Sequence, residues 1–501
     1  MKTLNQSKTK SIIIGSGFAG ISSALRMRAL GHEVILLERL DQLGGRARTF
    51  KKGKYLHDAG PTVITAPFLF HELFDLFNEK LEDHLEFIHL DPYYRFYFSD
   101  EGENFDYRAS IEDTQNEIKR FNEEDAEGYN QLLSESKEIY DVGFKRLVHR
   151  PFNKITSMIS QIPALLRLKC YRTVWQMVCS HITHPVVRKA FSIHPLLIGG
   201  NPFTTTSIYA LIHYLERKWG VYFCMGGTGK LVRELEKLMV RNEIEIKKNC
   251  DVKKINTQNN KVISVELITG EIIDGDNCIF AGDPETCYRE LLDQRSIFKS
   301  LLPEKKYSMG LYVLYFGVKK TYKDIAHHTI WMGKKYKSLL NDIFEKKVLG
   351  DDFSLYLHRP TATDKSFAPQ GCDSFYVLCP VPNLKGNTDW NISGKELGDK
   401  IISALDSTIL PSLKSNIEDV FWMTPEDFSS DYRSTYGAGF SIEPKLTQSA
   451  WFRYHNQHKN IKNLYFAGAG THPGAGLPGV ISSAKVVQEL ITGKEVGSGE
   501  K

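Results

Sequence analysis

Two short apolar runs near the amino terminus flank a segment of helical character. Ser11–Ile14 is a β-branched run that ends at a glycine, and Glu33–Leu37 is an apolar run that ends at Glu38. Continuous apolar runs of this length are typical of strands that are buried on both faces of a parallel sheet. Ile21–Leu30 lies between them and has helical character. Residues 11–38 therefore predict one β-α-β unit.

Beyond this unit the pattern changes from helical to strand-rich and back. Residues from about 70 to 240 are largely helical, with a strand near Tyr93–Phe98, and strand-rich sequence follows from Ile244 to Phe280. A strand at Gly310–Gly317 comes later, and Val480–Thr492 predicts a closing helix. No repeat of solenoid period interrupts this order. The order predicts an α/β domain that is assembled from both ends of the chain, with other segments inserted into it.

The turn between the first strand and the first helix has the spacing G-x-G-x-x-G. Gly15 permits the tight turn, Gly17 lets the backbone approach a pyrophosphate, and Gly20 lets helix and strand pack closely. The helix amino terminus favours the negative charge of the phosphates. Glu38, at the end of the second strand, is placed to accept a hydrogen bond from a ribose hydroxyl. Because a carboxylate repels a 2′-phosphate, NADP is disfavoured.

Three further segments carry glycine and fixed charge. Gly44-Gly45-Arg46-Ala47-Arg48 combines a flexible backbone with two guanidinium groups, and Asp58-Ala59-Gly60-Pro61-Thr62 follows soon after. Near the carboxyl terminus, an apolar strand leads into a loop with five glycines between residues 468 and 479. The helix predicted to start near Val480 can direct backbone N–H groups towards a flavin carbonyl or a phosphate.

Together these segments resemble the extended FAD signature of the amine oxidase and phytoene desaturase superfamily. The glycine-rich loop before Val480 is similar to the carboxyl-terminal signature of bacterial, lycopene-forming phytoene desaturases. The resemblance extends over nearly the whole chain and includes residues 197–203, 352–358 and 446–453. It implies a Rossmann-like FAD-binding domain with inserted substrate-binding and helical membrane-associating regions.

The resemblance also implies which residues bind the cofactor. Val252 corresponds to the valine that meets the adenine through its backbone in the wider flavoprotein family. Gly468-Ala469-Gly470 has alanine where amine oxidases often carry glutamate, and no cysteine is placed for covalent attachment, so we expect noncovalent FAD. The complete predicted cofactor set is Gly15, Gly17, Gly20, Glu38, Gly45, Arg46, Gly60, Pro61, Thr62, Val252, Gly470, Gly479 and Val480.

On this basis we predict five segments. Residues 1–70, 226–300 and 451–501 form the three parts of the FAD-binding domain. Residues 71–225 form a helical, membrane-associating and substrate-binding region, and residues 301–450 form a further substrate-binding region.

The activity implied by the resemblance is stepwise desaturation of phytoene through phytofluene, zeta-carotene and neurosporene to lycopene. Each step removes a hydride and a proton, and the reduced flavin is reoxidised by oxygen or a quinone. The residues themselves name neither a catalytic group nor a metal site, although the chain has 16 histidines. Alternatives are a C30 substrate or a different number of steps, a flavin-dependent carotenoid isomerase, an amine oxidase, and a non-enzymatic carrier of the same fold.

The composition of the chain limits the classes of partner that it is expected to bind. The 501 residues include 64 Lys and Arg against 60 Asp and Glu, and a net charge of +4 is too balanced to indicate a nucleic-acid partner. The eight cysteines form no C-x-x-C pair, which argues against a zinc ribbon or a redox motif. The segment Met1–Lys8 is polar and has no signal-peptide core, and no apolar run is long enough to span a membrane.

The local distribution of charge is more informative than its sum. Val142–Leu215 has no acidic residue, and nine basic residues lie between positions 145 and 189 with apolar residues among them. Basic and apolar residues combined in helical sequence are typical of an interfacial helix on anionic lipid. We therefore predict peripheral attachment to the cytoplasmic side of the cell membrane, where phytoene or a related carotenoid resides.

Overall fold

The computed structural model describes residues 8–293 and 304–500. The predicted polar amino terminus, apart from Lys8, and the predicted domain boundary at residues 300 and 301 lie outside the described residues. The strands are β1 (Lys10–Ile14), β2 (Glu33–Leu37), β3 (Thr49–Lys52), β4 (Tyr55–Asp58), β5 (Phe87–His89), β6 (Tyr94–Phe98), β7 (Glu103–Tyr107), β8 (Tyr222–Cys224), β9 (Glu245–Lys247), β10 (Val252–Gln258), β11 (Lys261–Leu267), β12 (Ile272–Asp274), β13 (Asn277–Phe280), β14 (Gly310–Val318), β15 (His328–Met332), β16 (Leu355–His358), β17 (Asp373–Val381), β18 (Ile417–Met423) and β19 (Leu464–Phe466).

The helices follow the same chain order. They are α1 (Phe18–Ala29), α2 (Phe68–Asp75), α3 (Ile111–Lys119), α4 (Asp125–Gly143), α5 (Ile155–Ile159), α6 (Ile162–Arg167), α7 (Val174–Cys179), α8 (Pro185–Phe191), α9 (Leu211–Trp219), α10 (Gly227–Arg241), α11 (Pro284–Thr286), α12 (Tyr336–Asn341), α13 (Trp390–Asp406), α14 (Leu413–Asn416), α15 (Pro425–Tyr432) and α16 (Leu477–Thr492).

A five-stranded parallel sheet is built from distant parts of the chain. Its order is β19-β13-β1-β2-β9, with Ile13 of β1 paired to Ile279 on one side and to Leu36 on the other. The central strands are apolar on both faces because α1 and α16 cover one face and β10–β12 with their neighbours cover the other. The predicted α/β fold with a Rossmann-like domain assembled from both ends of the chain is confirmed.

Two predicted helix starts are three residues late. Helix α1 begins at Phe18, because Gly17 takes the extended N-cap conformation with φ −63° and ψ 172°, so Gly20 lies inside the helix. Helix α16 begins at Leu477 rather than at Val480. Pro478 in its first turn explains this difference, since proline is favoured there by its fixed φ and lacks a backbone N–H that would need a partner.

A seven-stranded mixed sheet, of order β18-β14-β17-β16-β15-β6-β7, forms the second layer. Alternate residues of β14 point to opposite faces: Tyr312, Leu314 and Phe316 pack under α13, whereas Val313 and Tyr315 belong to a core that the helical region shares. The helices α3–α9 close the molecule over that second face. No helix within residues 8–293 and 304–500 combines the length and the apolar character that crossing a bilayer requires.

Candidate functional site

One cavity of about 550 Å³ runs from the parallel sheet into the core between the mixed sheet and the helices. All predicted cofactor residues except Gly20 line it. Segments that are far apart in sequence meet there because the carboxyl ends of β1, β2, β13 and β19 open at the same sheet edge, which is where open α/β sheets bind ligands.

The glycine turn after β1 has the shape that the motif predicts. Gly15 has φ +96°, which favours glycine. A Cβ atom on Gly17 would meet no protein atom within 4 Å, so the free space beside this residue belongs to the cavity. Across that space, a Cβ on Gly45 would lie 3.5 Å from the Gly17 Cα. Gly20 is outside the cavity, where a Cβ would lie 1.9 Å from the Gly15 carbonyl oxygen, so its role is close packing.

Glu38 ends β2 and is held firmly at the cavity wall. Its Oε2 accepts hydrogen bonds from the Ser16 backbone N–H at 2.9 Å and the Ser16 hydroxyl at 2.5 Å. Its Oε1 accepts one from the Leu40 backbone N–H at 2.9 Å. These bonds fix the carboxylate next to the glycine turn, and its remaining lone pairs can accept further hydrogen bonds.

Arg46 follows Gly45 beside the glycine turn; the residue is half-buried, and its Nε is inaccessible to solvent. It donates to the Ser434 hydroxyl at 3.0 Å, while its Nε has no hydrogen-bond partner among the described residues. Burial lowers the pKa of Arg46, and the negative charge of Asp283 opposes that shift. A buried guanidinium with an unused donor is suited to bind an anionic group.

Asp283 also lines the cavity, although it is not among the site residues predicted from the sequence. Its Oδ1 accepts from the Glu285 backbone N–H at 3.2 Å, and its Oδ2 has no hydrogen-bond partner in the part of the chain that the structure describes. Burial raises the pKa of Asp283 to about 6. Its position in the sequence could have indicated a role in the site, because Asp283 follows β13 and therefore lies at the carboxyl edge of the sheet.

Thr62 is one of three hydroxyl-bearing residues that form a polar patch on the inner cavity wall. Its Oγ1 lies 2.9 Å from the hydroxyls of both Tyr356 and Tyr376, which are on the mixed sheet. Burial raises the pKa of both tyrosines, so they remain protonated. The neighbouring Gly60 leaves no room for a side chain, because a Cβ would lie 2.4 Å from the Arg46 carbonyl oxygen.

The carboxyl-terminal loop and Val252 complete the cofactor end. The Val480 N–H donates to the Gly476 carbonyl oxygen at 2.9 Å inside α16, so this donor is already used. The residues before it, Leu477 and Gly479, supply the first-turn N–H groups that precede the first intrahelical bond. At Gly470, a Cβ would lie 2.4 Å from Pro284 Cδ, which explains the glycine by packing. Val252 lies at the far end beside Cys250 and Asp251.

The rest of the cavity is apolar. Residues from the helical region, from β14–β17, from α12 and from the segment after α15 line it, and they include Phe144, Leu147, Ile193, Leu197, Ile208, Ile212, Leu311, Val313, Ile330, Met332, Leu339, Leu378 and Phe440. Met158 and Leu165 bring α5 and α6 to the wall at the protein surface. Such a chamber can enclose a long hydrocarbon and exclude water from it.

The two ends fit different chemistry. The glycine cradle, the orphaned Nε of Arg46 and the start of α16 fit a dinucleotide with its phosphates, and the apolar chamber fits a lipid-like molecule. The fold and site thus define a nucleotide-dependent oxidoreductase with an apolar substrate chamber.

The comparisons with known proteins agree with this class. Residues 18–488 match the family described as flavin containing amine oxidoreductase. The chain therefore belongs to that family and is a flavin-dependent oxidoreductase. The putrescine oxidase structure bound to putrescine has a TM-score of 0.64 at 13% identity, covering 97% of this chain and 99% of that chain, which shows a shared fold.

Curated relatives indicate which members of this family the chain is similar to in sequence. A lycopene-forming phytoene desaturase of Pseudescherichia vulneris is 43% identical over 96% of this chain and 99% of its own. One of Paracoccus sp. is 41% identical over 96% of each chain. The resemblance to bacterial phytoene desaturases is confirmed, and within the flavin-containing family the chain belongs with them.

Proposed function

We propose that this protein is an FAD-dependent phytoene desaturase that carries out stepwise desaturation to lycopene. The observation that carries the proposal is that the residues of the glycine cradle and those of the apolar chamber line one and the same cavity. A chamber of this chemistry suits a polyene and would desolvate a polar amine without compensation, which disfavours amine oxidation.

We propose that the twelve predicted residues that line the cavity hold FAD noncovalently, with Glu38 and Val252 at its adenosine end, while Gly20 packs α1 against the turn. Among the described residues, Cys250 is the cysteine that lines the cavity, and its backbone N–H donates to the Glu38 carbonyl oxygen at 2.8 Å. It therefore lies at the adenosine end, away from the chamber where the flavin ring has to meet the substrate. This placement supports noncovalent attachment.

The protein's own contribution to the reaction is orientation and the exclusion of water. The apolar side chains align the polyene along the chamber. Because the chamber is enclosed by these side chains, water is kept from the reacting carbons. FAD held by the cradle would supply the acceptor for the hydride that the substrate loses, with oxygen or a quinone as the final electron acceptor. Tyr356 and Tyr376 stay protonated and so do not remove the accompanying proton.

We further propose that α5 and α6 dock the protein on the cytoplasmic face of the cell membrane. Ile155, Ile159, Ile162, Leu166 and Tyr171 are exposed on this segment, at 44 to 64% of their surface. Lys154, Arg167 and Lys169 are exposed among them. The same two helices contribute Met158 and Leu165 to the cavity, so a carotenoid can pass from lipid to the chamber without crossing water.

The test is product analysis with purified protein, FAD, phytoene in liposomes and an electron acceptor. We expect lycopene to form only when FAD and an acceptor are both present. Unchanged phytoene with FAD bound would reject this substrate, and a shorter polyene as end product would reject the step number. Conversion of a cis-carotenoid without an acceptor would favour the isomerase instead.

A further inference from the structure

Three buried histidines lie together beyond Tyr356 and Tyr376 on the same face of the mixed sheet. One ring nitrogen from each of His327, His328 and His358 lies within 4.8 Å of the others. None of the three is more than 5% exposed. The proposed desaturation makes no use of this cluster.

The strands explain how the rings meet. His328 and His358 are directly opposite each other on β15 and β16, so their side chains share a face of the sheet. In a regular strand the adjacent His327 would point to the other face. His327 instead lies in a bend before β15, and its ring lies 4.7 Å from that of His328 and 4.9 Å from that of His358.

Two of the rings, those of His327 and His328, have a polar partner at one nitrogen and leave the other nitrogen unused. His327 Nδ1 lies 2.7 Å from the Thr363 hydroxyl, and His328 Nδ1 lies 2.7 Å from the Tyr356 hydroxyl. Within the described part of the chain, the Nε2 atoms of both rings have no hydrogen-bond partner. Histidines that bind a metal typically donate their second N–H to an oxygen, which fixes the ring, and the Thr363 and Tyr356 hydroxyls are placed to accept such a bond when Nδ1 carries the proton.

The third ring, that of His358, lies next to the carboxylate of Asp58. His358 Nε2 lies 3.7 Å from Asp58 Oδ2, which has no hydrogen-bond partner within residues 8–293 and 304–500. Asp58 Oδ1 accepts from the Thr228 N–H and hydroxyl, each at 3.1 Å. The buried Arg359 nearby is not an unbalanced charge, because its Nε donates to Asp373 at 2.9 Å. Asp58 is thus the carboxylate available to offset a cation here.

Burial disfavours the charged form of all three rings. Burial and mutual repulsion keep the pKa of His327 and His328 well below the usual range, and burial lowers the pKa of His358 although Asp58 opposes this. Neutral imidazoles keep the lone pairs that bind borderline transition metals such as Zn²⁺.

We propose that His327, His328 and His358 form a structural site for one divalent transition metal, with Zn²⁺ as the ion that the donor set fits best. Asp58 provides either a fourth ligand or the countercharge. Tetrahedral ligands at about 2.1 Å from Zn²⁺ are about 3.4 Å apart, so closing the site from the observed spacing moves each nitrogen by roughly 0.7 Å. The metal would tie β15, β16 and the end of β4 together next to Thr62.

The site was not predicted from the sequence. Adjacent histidines followed by a third one 30 positions later do not match a zinc-binding spacing, and only the bend at His327 and the strand register bring them together. The proposal is independent of the carotenoid reaction, so its test needs no turnover.

The experiment is a metal titration of the flavoprotein after removal of any affinity tag and treatment with a chelator. Zn²⁺ is added, unbound ion is removed by gel filtration, and metal is counted by elemental analysis. We expect about one Zn²⁺ per chain for the wild type and a loss of at least about 10-fold in affinity for His358→Gln. His71→Gln, which removes a half-exposed histidine outside the cluster, should bind as the wild type does.

Cobalt keeps the proposal falsifiable if His358→Gln does not fold. Co²⁺ added to the wild type should give the intense visible bands of a tetrahedral nitrogen site, which Zn²⁺ should abolish. Absence of those bands, less than about 0.2 Zn²⁺ per wild-type chain, or equal binding by His358→Gln and wild type would each overturn the proposal.

Discussion

The Tyr356 hydroxyl lies 2.7 Å from Nδ1 of His328. Tyr356 lines the cavity and His328 belongs to the histidine cluster, so one buried hydrogen bond joins the cavity wall to that cluster. Because Tyr356 also contacts Thr62 at 2.9 Å, the bond is part of a chain of hydroxyls that fixes the wall. Removing one member of such a chain leaves a buried polar atom without a partner.

The first prediction concerns this bond and the proposed metal site. Tyr356→Phe should lower Zn²⁺ affinity by about 10- to 100-fold, because the His328 ring loses the oxygen that orients it. Tyr376→Phe, which removes a hydroxyl of the same chain that contacts Thr62 rather than His328, should keep the affinity. Competitive titration with a chromophoric chelator measures both, and equal affinities for the two variants would contradict the role given to Tyr356.

The second prediction separates two glycines of one motif. Gly17→Val places its side chain in the cavity, so we expect loss of bound flavin by about 10-fold or more with little change in the stability of the flavin-free protein. Gly20→Ala forces a Cβ to within 1.9 Å of the Gly15 carbonyl oxygen and should destabilise the fold itself. The flavin-to-protein absorbance ratio and urea unfolding of flavin-free samples distinguish the effects. Full flavin occupancy in Gly17→Val would refute the assigned cradle.

The third prediction tests membrane docking. Leu166→Asp on α6 should reduce flotation with anionic liposomes by about 10-fold, since one exposed leucine contributes roughly 1.5–3 kcal/mol when it enters an apolar phase. Val240→Asp on α10 is the matched control, because Val240 is 60% exposed and Leu166 is 61% exposed. Raised salt should weaken the binding of the wild type. If both variants float equally well, α6 is not the docking segment.

The fourth prediction concerns a buried ion cluster between α1, α2 and α16. Glu72 pairs with Arg26 at 2.8 Å and with Lys485, and both cations are almost fully buried. Glu72→Gln leaves two buried cations without their carboxylate and should cost about 3–5 kcal/mol of unfolding free energy. Urea denaturation measures it, and Glu243→Gln, which loses an exposed pair with Arg28, should show no measurable loss.

The lysine of this ion cluster also predicts how the unfolding free energy changes with pH. Burial and the charge of Arg26 lower the pKa of Lys485 from 10.5 to about 8, so the folded state binds fewer protons than the unfolded state between these values. Burying charged Lys485 lowers the unfolding free energy. The unfolding free energy should therefore rise as the pH increases from about 8 to about 10, where the folded state has lost this proton. Urea denaturation of the wild type measures this, and an unfolding free energy that falls over this range would contradict the assignment.

The fifth prediction concerns Asp283. Burial raises its pKa from 3.8 to about 6, so the folded state binds more protons than the unfolded state between these values. Its contribution to stability is therefore present at low pH and lost as pH rises through this window, by roughly 3 kcal/mol. The difference in unfolding free energy between wild type and Asp283→Asn, measured from pH 4 to 7, should show this fall. A difference that does not change with pH would exclude it.

Local sequence determined the parallel-sheet unit and its glycine turn. The runs at Ser11–Ile14 and Glu33–Leu37 and the spacing of Gly15, Gly17 and Gly20 are set within a few residues, because strand burial and turn geometry are local properties. The helix starts were less well predicted, because Gly17 and Pro478 act through φ and hydrogen bonds at single positions.

Only the tertiary structure decided which distant residues meet. Arg46 and Asp283 share a cavity, Thr62 contacts Tyr356 and Tyr376, and three histidines converge, although no local pattern connects these positions. The physical reason is that strand register, one bend and the closure of the helical region set these distances. The glycine and charge pattern along the chain thus determined the nucleotide end of the site, whereas long-range packing alone decided the shape of the chamber and the group of buried histidines beside it.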